Sequence, residues 1–279
     1  MSDATWSSPG YGYPASYPHP LTDRKSLSGL VVALTVLLSI VALVSLAEAA
    51  GYGYRASLLA NAADGVYATD AQAELADAIP AATGILTLAF FVVTAVVFIV
   101  WQFRHAKNAQ VLGSARGLGP GWAIGGWFIP LANYILPAVQ IHQSSRVSTT
   151  RSGPPRSALL LIVPWAITFG LGTILSSVAL GMWPAALTTA DDLEMAAASD
   201  VVDGVASFLW LVAALLCIAM VRTVSGWQSQ ALDERATELS AQAMPWPGGA
   251  PETPPPSAGP PQGPENPAAG DDPWRSPSR

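Results

Sequence analysis

Hydrophobic residues are concentrated in four long, almost uncharged runs along the chain, at about residues 27–48, 78–103, 157–183 and 201–222. The hydrocarbon layer of a bilayer is about 30 Å thick, and at about 1.5 Å per residue a helix needs about 20 apolar residues to cross it. Each run meets this length. The sequence therefore predicts an all-α, polytopic membrane protein with four transmembrane helices.

The first run resembles a signal peptide at first sight, because the basic pair Arg24 and Lys25 precedes it. Its apolar stretch is longer than the core of such a peptide, which usually has about 7–15 residues, and it follows a polar segment. We therefore expect a retained helix.

Charges between the runs are sorted by sign, which predicts the orientation. Basic residues gather before the first run, between the second and third, and after the fourth, at Arg24, Lys25, Arg104, Lys107, Arg116, Arg146, Arg151, Arg156, Arg222 and Arg235. The other two loops are acidic, with Asp64, Asp70, Glu74, Asp77, Asp191, Asp192, Glu194 and Asp200. Since cytoplasmic loops accumulate Lys and Arg, we expect both termini in the cytoplasm of a multi-pass plasma-membrane protein.

Composition agrees with a membrane protein and narrows the chemistry. The chain is 51% hydrophobic and 11% charged, whereas soluble domains have roughly 25% charged residues. Its net charge of −6 combines acids and bases that we expect on opposite sides of a membrane, so it gives no evidence for a nucleic-acid partner. The single cysteine, Cys217, excludes an intrachain disulfide and a cysteine-based metal cluster.

Polar segments flank the predicted membrane domain, residues 27–225. Residues 1–26 are rich in aromatic residues and proline, and we predict a disordered cytoplasmic tail there. Residues 226–243 contain good helix formers and could continue the fourth helix into the cytoplasm. Residues 244–279 contain half of all the prolines and are predicted to be a second disordered tail. Residues 51–77, rich in alanine, predict one or two short helices at the outer surface.

A fifth uncharged stretch, PGWAIGGWFIPLANYILP at residues 120–137, lies between the second and third runs. Basic clusters flank it on both sides, and a fifth span would move one cluster outside. It also contains breakers of helices. We predict a re-entrant or interfacial segment, with a candidate motif made of Pro120, Gly121, Trp122, Gly125, Gly126, Trp127, Pro130 and Asn133.

Two interpretations of this segment stay open. Trp122, Trp127 and Tyr134 suit the headgroup region, which favours simple anchoring. Alternatively, the segment packs between helices as a plug or gate, because protein can cover irregular backbone at membrane depth. Gly125 or Gly126 would then be a point of close backbone approach.

A second candidate motif lies at the end of the second run. Trp101, Arg104 and Asn108 have the spacing i, i+3, i+7, which places them on one helix face. Arg104 there could neutralise the negative end of the helix or bind a lipid phosphate.

These motifs together resemble a known family. The run W-x2-R-x3-N at Trp101, Arg104 and Asn108, followed by PGWAIGGWFIPLANYILP, is similar to the hallmark of a bacterial membrane family, common in actinobacteria, called domain of unknown function 4328. The resemblance covers roughly residues 25–225. Family members typically have a second Trp where this chain has Gly126, and a basic residue with an aromatic where it reads AVQIHQ. The resemblance implies the topology and supplies no mechanism.

No constellation for catalysis, cofactor binding or metal binding is visible in the sequence. His19, His105 and His142 are the only histidines, and neither Cys nor acidic neighbours accompany them. We therefore predict that the protein is not an enzyme and has no cofactor. Asp203 is the ionisable residue closest to the interior of a span. It lies about one turn into the fourth helix, where exposure at the outer surface explains it without a transport role.

A membrane-anchored interaction or scaffold protein is the function that remains, with the lipid bilayer and a cytoplasmic protein bound through the Pro-rich tail as the expected partners. The alternative is a small-solute channel or transporter subunit gated by residues 120–137.

Overall fold

A computed structural model describes residues 21–114, 117–149, 157–184 and 187–243. These residues form helices and connecting turns, and no strand occurs among them. The α-helices are α1 (Ser28–Ala63), α2 (Asp70–Val111), α3 (Trp122–Gly125), α4 (Leu136–Thr149), α5 (Leu159–Met182) and α6 (Ala190–Ala243), with 3-10 turns at Leu21–Asp23 and Ala132–Tyr134. The chain divides into two units, Met1–Glu238 and Leu239–Arg279, and the description below concerns the first.

Four of these helices, α1, α2, α5 and α6, are long and apolar enough to cross a membrane. The predicted all-α polytopic fold is therefore confirmed. Large apolar side chains such as Leu43, Leu88, Leu160 and Leu180 lie on the outside of the bundle, and each is more than 60% exposed. Such positions are stable only against hydrocarbon or another apolar surface, so the exposed faces fit a bilayer environment.

The prediction of short helices between residues 51 and 77 is wrong. Instead α1 continues to Ala63, α2 already begins at Asp70, and six residues connect them. The side chain of Thr69 accepts from the backbone N–H of Gln72, whose side chain accepts from the Thr69 N–H. This capping box fixes the start of α2. The alanine-rich sequence has high helix propensity, so both helices extend beyond the apolar runs.

Helices α5 and α6 meet at a small residue, Gly172. A Cβ added at Gly172 of α5 would lie 2.8 Å from Cδ1 of Trp210 in α6. Glycine therefore lets the indole of Trp210 lie directly on the α5 backbone. Of the small-residue positions on α5, Gly181 has open space around it instead.

The best packed core contains residues of α1, α2, α4, α5 and α6, including Leu34, Phe98, Trp101, Ile141, Ile162, Trp165, Met220 and Val224. We call the end of the bundle with Arg24, Lys25, Arg104, Lys107, Arg146 and Arg222 the basic end. The opposite end, with Asp64, Asp70, Glu74, Asp77, Asp191, Asp192, Glu194 and Asp200, is the acidic end. The core lies towards the basic end, where α4 joins the membrane helices.

Candidate functional site

The segment at residues 120–137 consists of short elements. It forms one helical turn, α3, then an irregular stretch, a 3-10 turn at Ala132–Tyr134 and the start of α4. Pro130 has no N–H to donate and interrupts the helix. The next residue, Leu131, has a φ of 63°, which is an unfavourable conformation for a side chain with a Cβ. The backbone therefore makes a tight, strained turn at the place where the sequence contains proline.

This turn reaches into the bundle. The Trp127 ring lies 6.1 Å from that of Phe169 on α5, and Cδ1 of Tyr134 would lie 3.6 Å from a Cβ at Gly170. Gly170 lies about 16 Å along the axis from Leu159, the first residue of α5, at about 1.5 Å per residue. The segment therefore packs against α2 and α5, and whether it is interfacial or re-entrant stays a prediction.

The two tryptophans of the segment have different surroundings. Trp127 donates its indole N–H to Oε1 of Gln102 at 3.0 Å and packs edge to face against Phe98, with the ring centroids 5.8 Å apart. Trp122 is 43% exposed. Anchoring at an interface therefore suits Trp122, whereas Trp127 is a wedge between α2 and α5.

The glycine pair is also unequal. A Cβ at Gly126 would lie 2.8 Å from the carbonyl oxygen of Trp122 and 3.2 Å from Cβ of Leu136. A Cβ at Gly125 would meet nothing within 4 Å. A close approach is thus found at Gly126 and not at Gly125, and the nearest neighbours of Gly126 belong to the same segment and to the first residue of α4.

Three other residues of the predicted motif lie around this turn. Pro120 lines a small polar cavity of about 70 Å³ together with Gly119 and Gln143. Gly121 has open space around it. Asn133 is half-buried, and its side-chain oxygen Oδ1 has no hydrogen-bond partner. A buried acceptor without a donor is costly, so Asn133 is the residue of the segment that most needs a partner.

Trp101, Arg104 and Asn108 lie on one face of α2, as their spacing predicts, and they hold other parts of the chain. Trp101 donates to Oγ of Ser225 at 2.9 Å, and Arg104 donates to the carbonyl of Ser26 at 3.2 Å. The Asn108 side chain accepts from the backbone N–H of Lys25 and donates to its carbonyl, both at 2.8 Å. This face therefore fastens the segment before α1 and the end of α6 to α2.

A buried polar network joins α2, α4 and α6 at the basic end, and the sequence reasoning missed it. Gln102 donates to Oε1 of Gln140 at 2.8 Å, and Gln140 donates to Ser144 at 2.9 Å. Gln228 donates to the carbonyl of His105 at 2.9 Å. The signal in the sequence was a set of glutamines at positions spaced like those of core residues. An uncharged amide can be buried at such a position when another amide pairs with it.

An ion pair at the acidic end was also missed. Arg55 donates from Nε and Nη2 to both carboxylate oxygens of Asp200, at 2.8 and 2.7 Å. Its guanidinium also lies 4.7 Å from the centre of the Trp183 ring. Arg55 was the only basic residue among the acidic loops, and that isolation was the signal for a specific partner.

The two histidines of the described residues do not form a metal site. The His105 ring is fully buried and stacks on Trp101 at 5.4 Å. On α4, burial and the nearby charge of Arg146 lower the pKa of His142. Within residues 21–114, 117–149, 157–184 and 187–243, no group of three or more His, Cys, Asp or Glu side chains could hold a metal ion.

Comparison with known proteins gives one finding about identity. A search of curated proteins and a search of solved structures give no match. The family model described as Domain of unknown function (DUF4328) matches residues 64–226, which is more than half of the chain. The matched region contains α2 with its Trp101, Arg104 and Asn108 face, the segment 120–137, α5 and the apolar part of α6. That description assigns no biochemical role and does not favour a channel. The chain is therefore a multi-pass membrane protein that belongs to the family Domain of unknown function (DUF4328).

Proposed function

We propose that this protein is a membrane-anchored scaffold of the plasma membrane, with both termini in the cytoplasm, which displays two polar tails from one place. The basic end would face the cytoplasm, because Lys and Arg accumulate on that side of membrane proteins. We further propose that it performs no catalysis, and that its partner is a cytoplasmic protein that binds the Pro-rich segment 244–279.

One observation carries the proposal: the segments that lead to the two tails are fastened together at the basic end. Arg24, just before α1, donates to a carboxylate oxygen of Asp233 on α6 at 2.6 Å. Next to it, Asn108 of α2 holds both backbone groups of Lys25. The bundle thus holds the segment before α1 against α6 at Asp233, and holding two weak binding segments near one another raises their effective concentration for a shared partner.

Orientation is tested first, by labelling cysteines in intact cells in a Cys217→Ser background. We expect a membrane-impermeant maleimide to modify a cysteine placed at Ala73 or Thr189 and to leave one at Ser148 or Ser257 unmodified until the cells are opened. Labelling of Ser257→Cys from outside would contradict the proposed topology.

The scaffold role is tested by cross-linking in cells, with the intact chain, a chain lacking residues 244–279 and the Asn108→Ala variant. We expect cytoplasmic proteins that cross-link to the intact chain to be lost on tail deletion and reduced in Asn108→Ala. The purified protein in liposomes should give no more flux of rubidium, chloride or glycerol than empty liposomes. Tail-independent cross-links, or flux above that background, would overturn the proposal.

A further inference from the structure

The apolar parts of α1 and α2 end at the same level of the bundle, and basic residues lie there. Helix α1 begins at Ser28, and the apolar run of α2 ends at Phe103. Nη1 of Arg104 donates to the carbonyl of Ser26 at 3.2 Å, so the segment before α1 lies beside the end of the α2 run. In a membrane this level is that of the lipid headgroups, because the apolar runs fill the hydrocarbon layer.

Asn108 fixes the segment before α1 in place. Its side chain, only 1% exposed, accepts from the backbone N–H of Lys25 and donates to the Lys25 carbonyl, both at 2.8 Å. Residues 24–27 have no helical structure of their own, so these two hydrogen bonds and the one from Arg104 determine where Lys25 lies. The exposed side chain of Lys25 therefore starts one residue away from the carbonyl that Arg104 binds.

A third cation lies one turn further along α2. Lys107 is exposed, and its Nζ lies 5.8 Å from the centre of the Phe103 ring. Because Phe103 precedes Lys107 by one turn, the ammonium group points back along α2, towards the membrane, as long side chains on helices usually do. Lys25, Arg104 and Lys107 thus form one surface at the level of the headgroups, which we call the cationic surface.

Acidic side chains do not neutralise the cationic surface. Within the part of the chain that the structure describes, its three cations form no ion pair. Nearby, Asp233 is already paired with Arg24 at 2.6 Å, which leaves Asp23 as the opposing charge in the segment before α1. The guanidinium of Arg104 also has more N–H donors than its bond to Ser26 uses. The surface therefore has both the charge and the donors to bind an anion.

We propose that the cationic surface binds the headgroup of an anionic phospholipid. The phosphate oxygens accept from the guanidinium of Arg104 and from the ammonium groups of Lys25 and Lys107. The planar fork of an arginine matches a phosphate, and the lysines add charge at the same place. The acyl chains lie against exposed apolar side chains on the membrane side of the surface, such as Val32 on α1 and Val100 on α2.

This proposal gives the motif of Trp101, Arg104 and Asn108 two tasks: Arg104 contacts the lipid, and Asn108 positions Lys25 beside it. Of the two roles that the sequence leaves open for Arg104, neutralising the negative end of α2 fits less well. The last carbonyls of α2 belong to residues 108–111, whereas the hydrogen bond of Arg104 goes to Ser26. The inference needs only that the basic end lies at a membrane surface, and it does not rest on the scaffold proposal.

Native mass spectrometry provides the test. The full chain is released from nanodiscs that contain equal amounts of phosphatidylglycerol and phosphatidylcholine, and the lipids that stay bound to it are compared. We expect phosphatidylglycerol to be retained about tenfold in excess over phosphatidylcholine. Equal retention of the two lipids would overturn the proposal. Displacement of phosphatidylglycerol by inorganic phosphate, at an ionic strength held constant with potassium chloride, would also overturn it, because the ligand would then be a free anion.

Charge variants separate this site from a general attraction of lipids to basic residues. Lys25→Gln and Arg104→Gln should each lower the retained phosphatidylglycerol by about three- to tenfold, since each removes a cation beside an anionic headgroup. The matched control is Arg222→Gln, which removes an exposed arginine of α6 at the same end of the bundle and should leave retention nearly unchanged. An equal loss in all three variants would show that net charge alone attracts the lipid, and the proposed site would be wrong.

Asn108→Ala tests the positioning of Lys25 without a change in charge. We expect this variant to lose most of its preference for phosphatidylglycerol, and unchanged retention in the folded variant would contradict the proposal. Melting in detergent is the second readout. Lys25→Gln changes an exposed side chain and should melt like the wild type, so it decides the question even if Asn108→Ala does not fold. Loss of retention only in variants that melt at lower temperature would rule out a lipid site.

Discussion

The basic end and the acidic end of the bundle each contain a close ion pair, and the two pairs differ in burial rather than in length. At the basic end Arg24 and Asp233 lie 2.6 Å apart, with side chains 40% and 63% exposed. At the acidic end Arg55 and Asp200 lie 2.7 Å apart, with side chains 18% and 1% exposed. Water screens the first pair and is excluded from the carboxylate of the second.

This difference indicates how each end is held together. The acidic end depends on one buried charge pair, so removing the cation would leave Asp200 uncompensated. At the basic end, neutral side chains such as Gln102, Gln140 and Gln228 make buried hydrogen bonds, and the Arg24–Asp233 ion pair lies at the surface. We therefore expect the basic end, where the segment before α1 contacts α2 and α6, to tolerate the loss of a charge better than the acidic end.

The largest effect is expected from Arg55→Met. Methionine keeps the length of the side chain but leaves the Asp200 carboxylate buried and unpaired, at a cost of about 3–5 kcal/mol in the free energy of unfolding. The measurement is unfolding by sodium dodecyl sulfate in mixed micelles. Asp77→Asn serves as the control, because Asp77 is 77% exposed and 3.7 Å from Arg55, and its loss should change little. Equal effects of the two variants would contradict the comparison.

Gly126→Leu should follow, with a loss of about 1–3 kcal/mol in the same assay, because the added atoms meet Leu136 and the Trp122 carbonyl. Gly125→Leu is the matched control. There the space is open, and leucine has the better helix propensity, so stability should stay level or rise by up to about 1 kcal/mol. Equal tolerance of leucine at both positions would mean that Gly126 is not closely packed against Trp122 and Leu136.

Gln102→Leu tests the neutral network at the basic end. It leaves the indole N–H of Trp127 and the side-chain oxygen of Gln140 without a partner, which should cost about 1–3 kcal/mol. The double variant with Trp127→Phe no longer contains the unpaired indole. Its loss in the free energy of unfolding should therefore be smaller than the sum of the losses in the two single variants. Strict additivity would show that the Trp127–Gln102 hydrogen bond does not contribute to stability.

The sequence predicts much of this architecture and little of its side-chain chemistry. The four spans follow from run length alone, because the bilayer sets how many apolar residues a helix needs. The ends of α1 and α2 do not follow, since beyond the hydrocarbon the helices continue for reasons of propensity and packing. The pairing of Arg55 with Asp200, 145 residues away in the sequence, depends on how α1 lies beside α6, and no local pattern contains that information.

The segment 120–137 shows the same limit at closer range. Proline, paired glycines and flanking basic clusters were enough to predict that residues 120–137 do not cross the membrane. The sequence makes Trp122 and Trp127 look equivalent, and likewise Gly125 and Gly126. Only the neighbours from α2, α4 and α5 distinguish the packed residue from the exposed one. The unpaired side-chain oxygen Oδ1 of Asn133 could not be predicted from the sequence either, because its lack of a hydrogen-bond partner depends on the atoms around it.

The smallest effect is expected from the exposed pair, and it sharpens the comparison between the ends. Arg24→Met should reduce the free energy of unfolding by at most about 1 kcal/mol, since Asp233 remains hydrated when its partner is removed. The same substitution at Arg55 should cost several times more, although the two ion pairs have nearly the same length. Raising the salt concentration should reduce the small effect at Arg24, because ions screen interactions between exposed charges. It should leave most of the effect at Arg55, where Asp200 is shielded from water. A loss at Arg24 as large as that at Arg55, or one that persists in salt, would show that the basic end also depends on its charge pair.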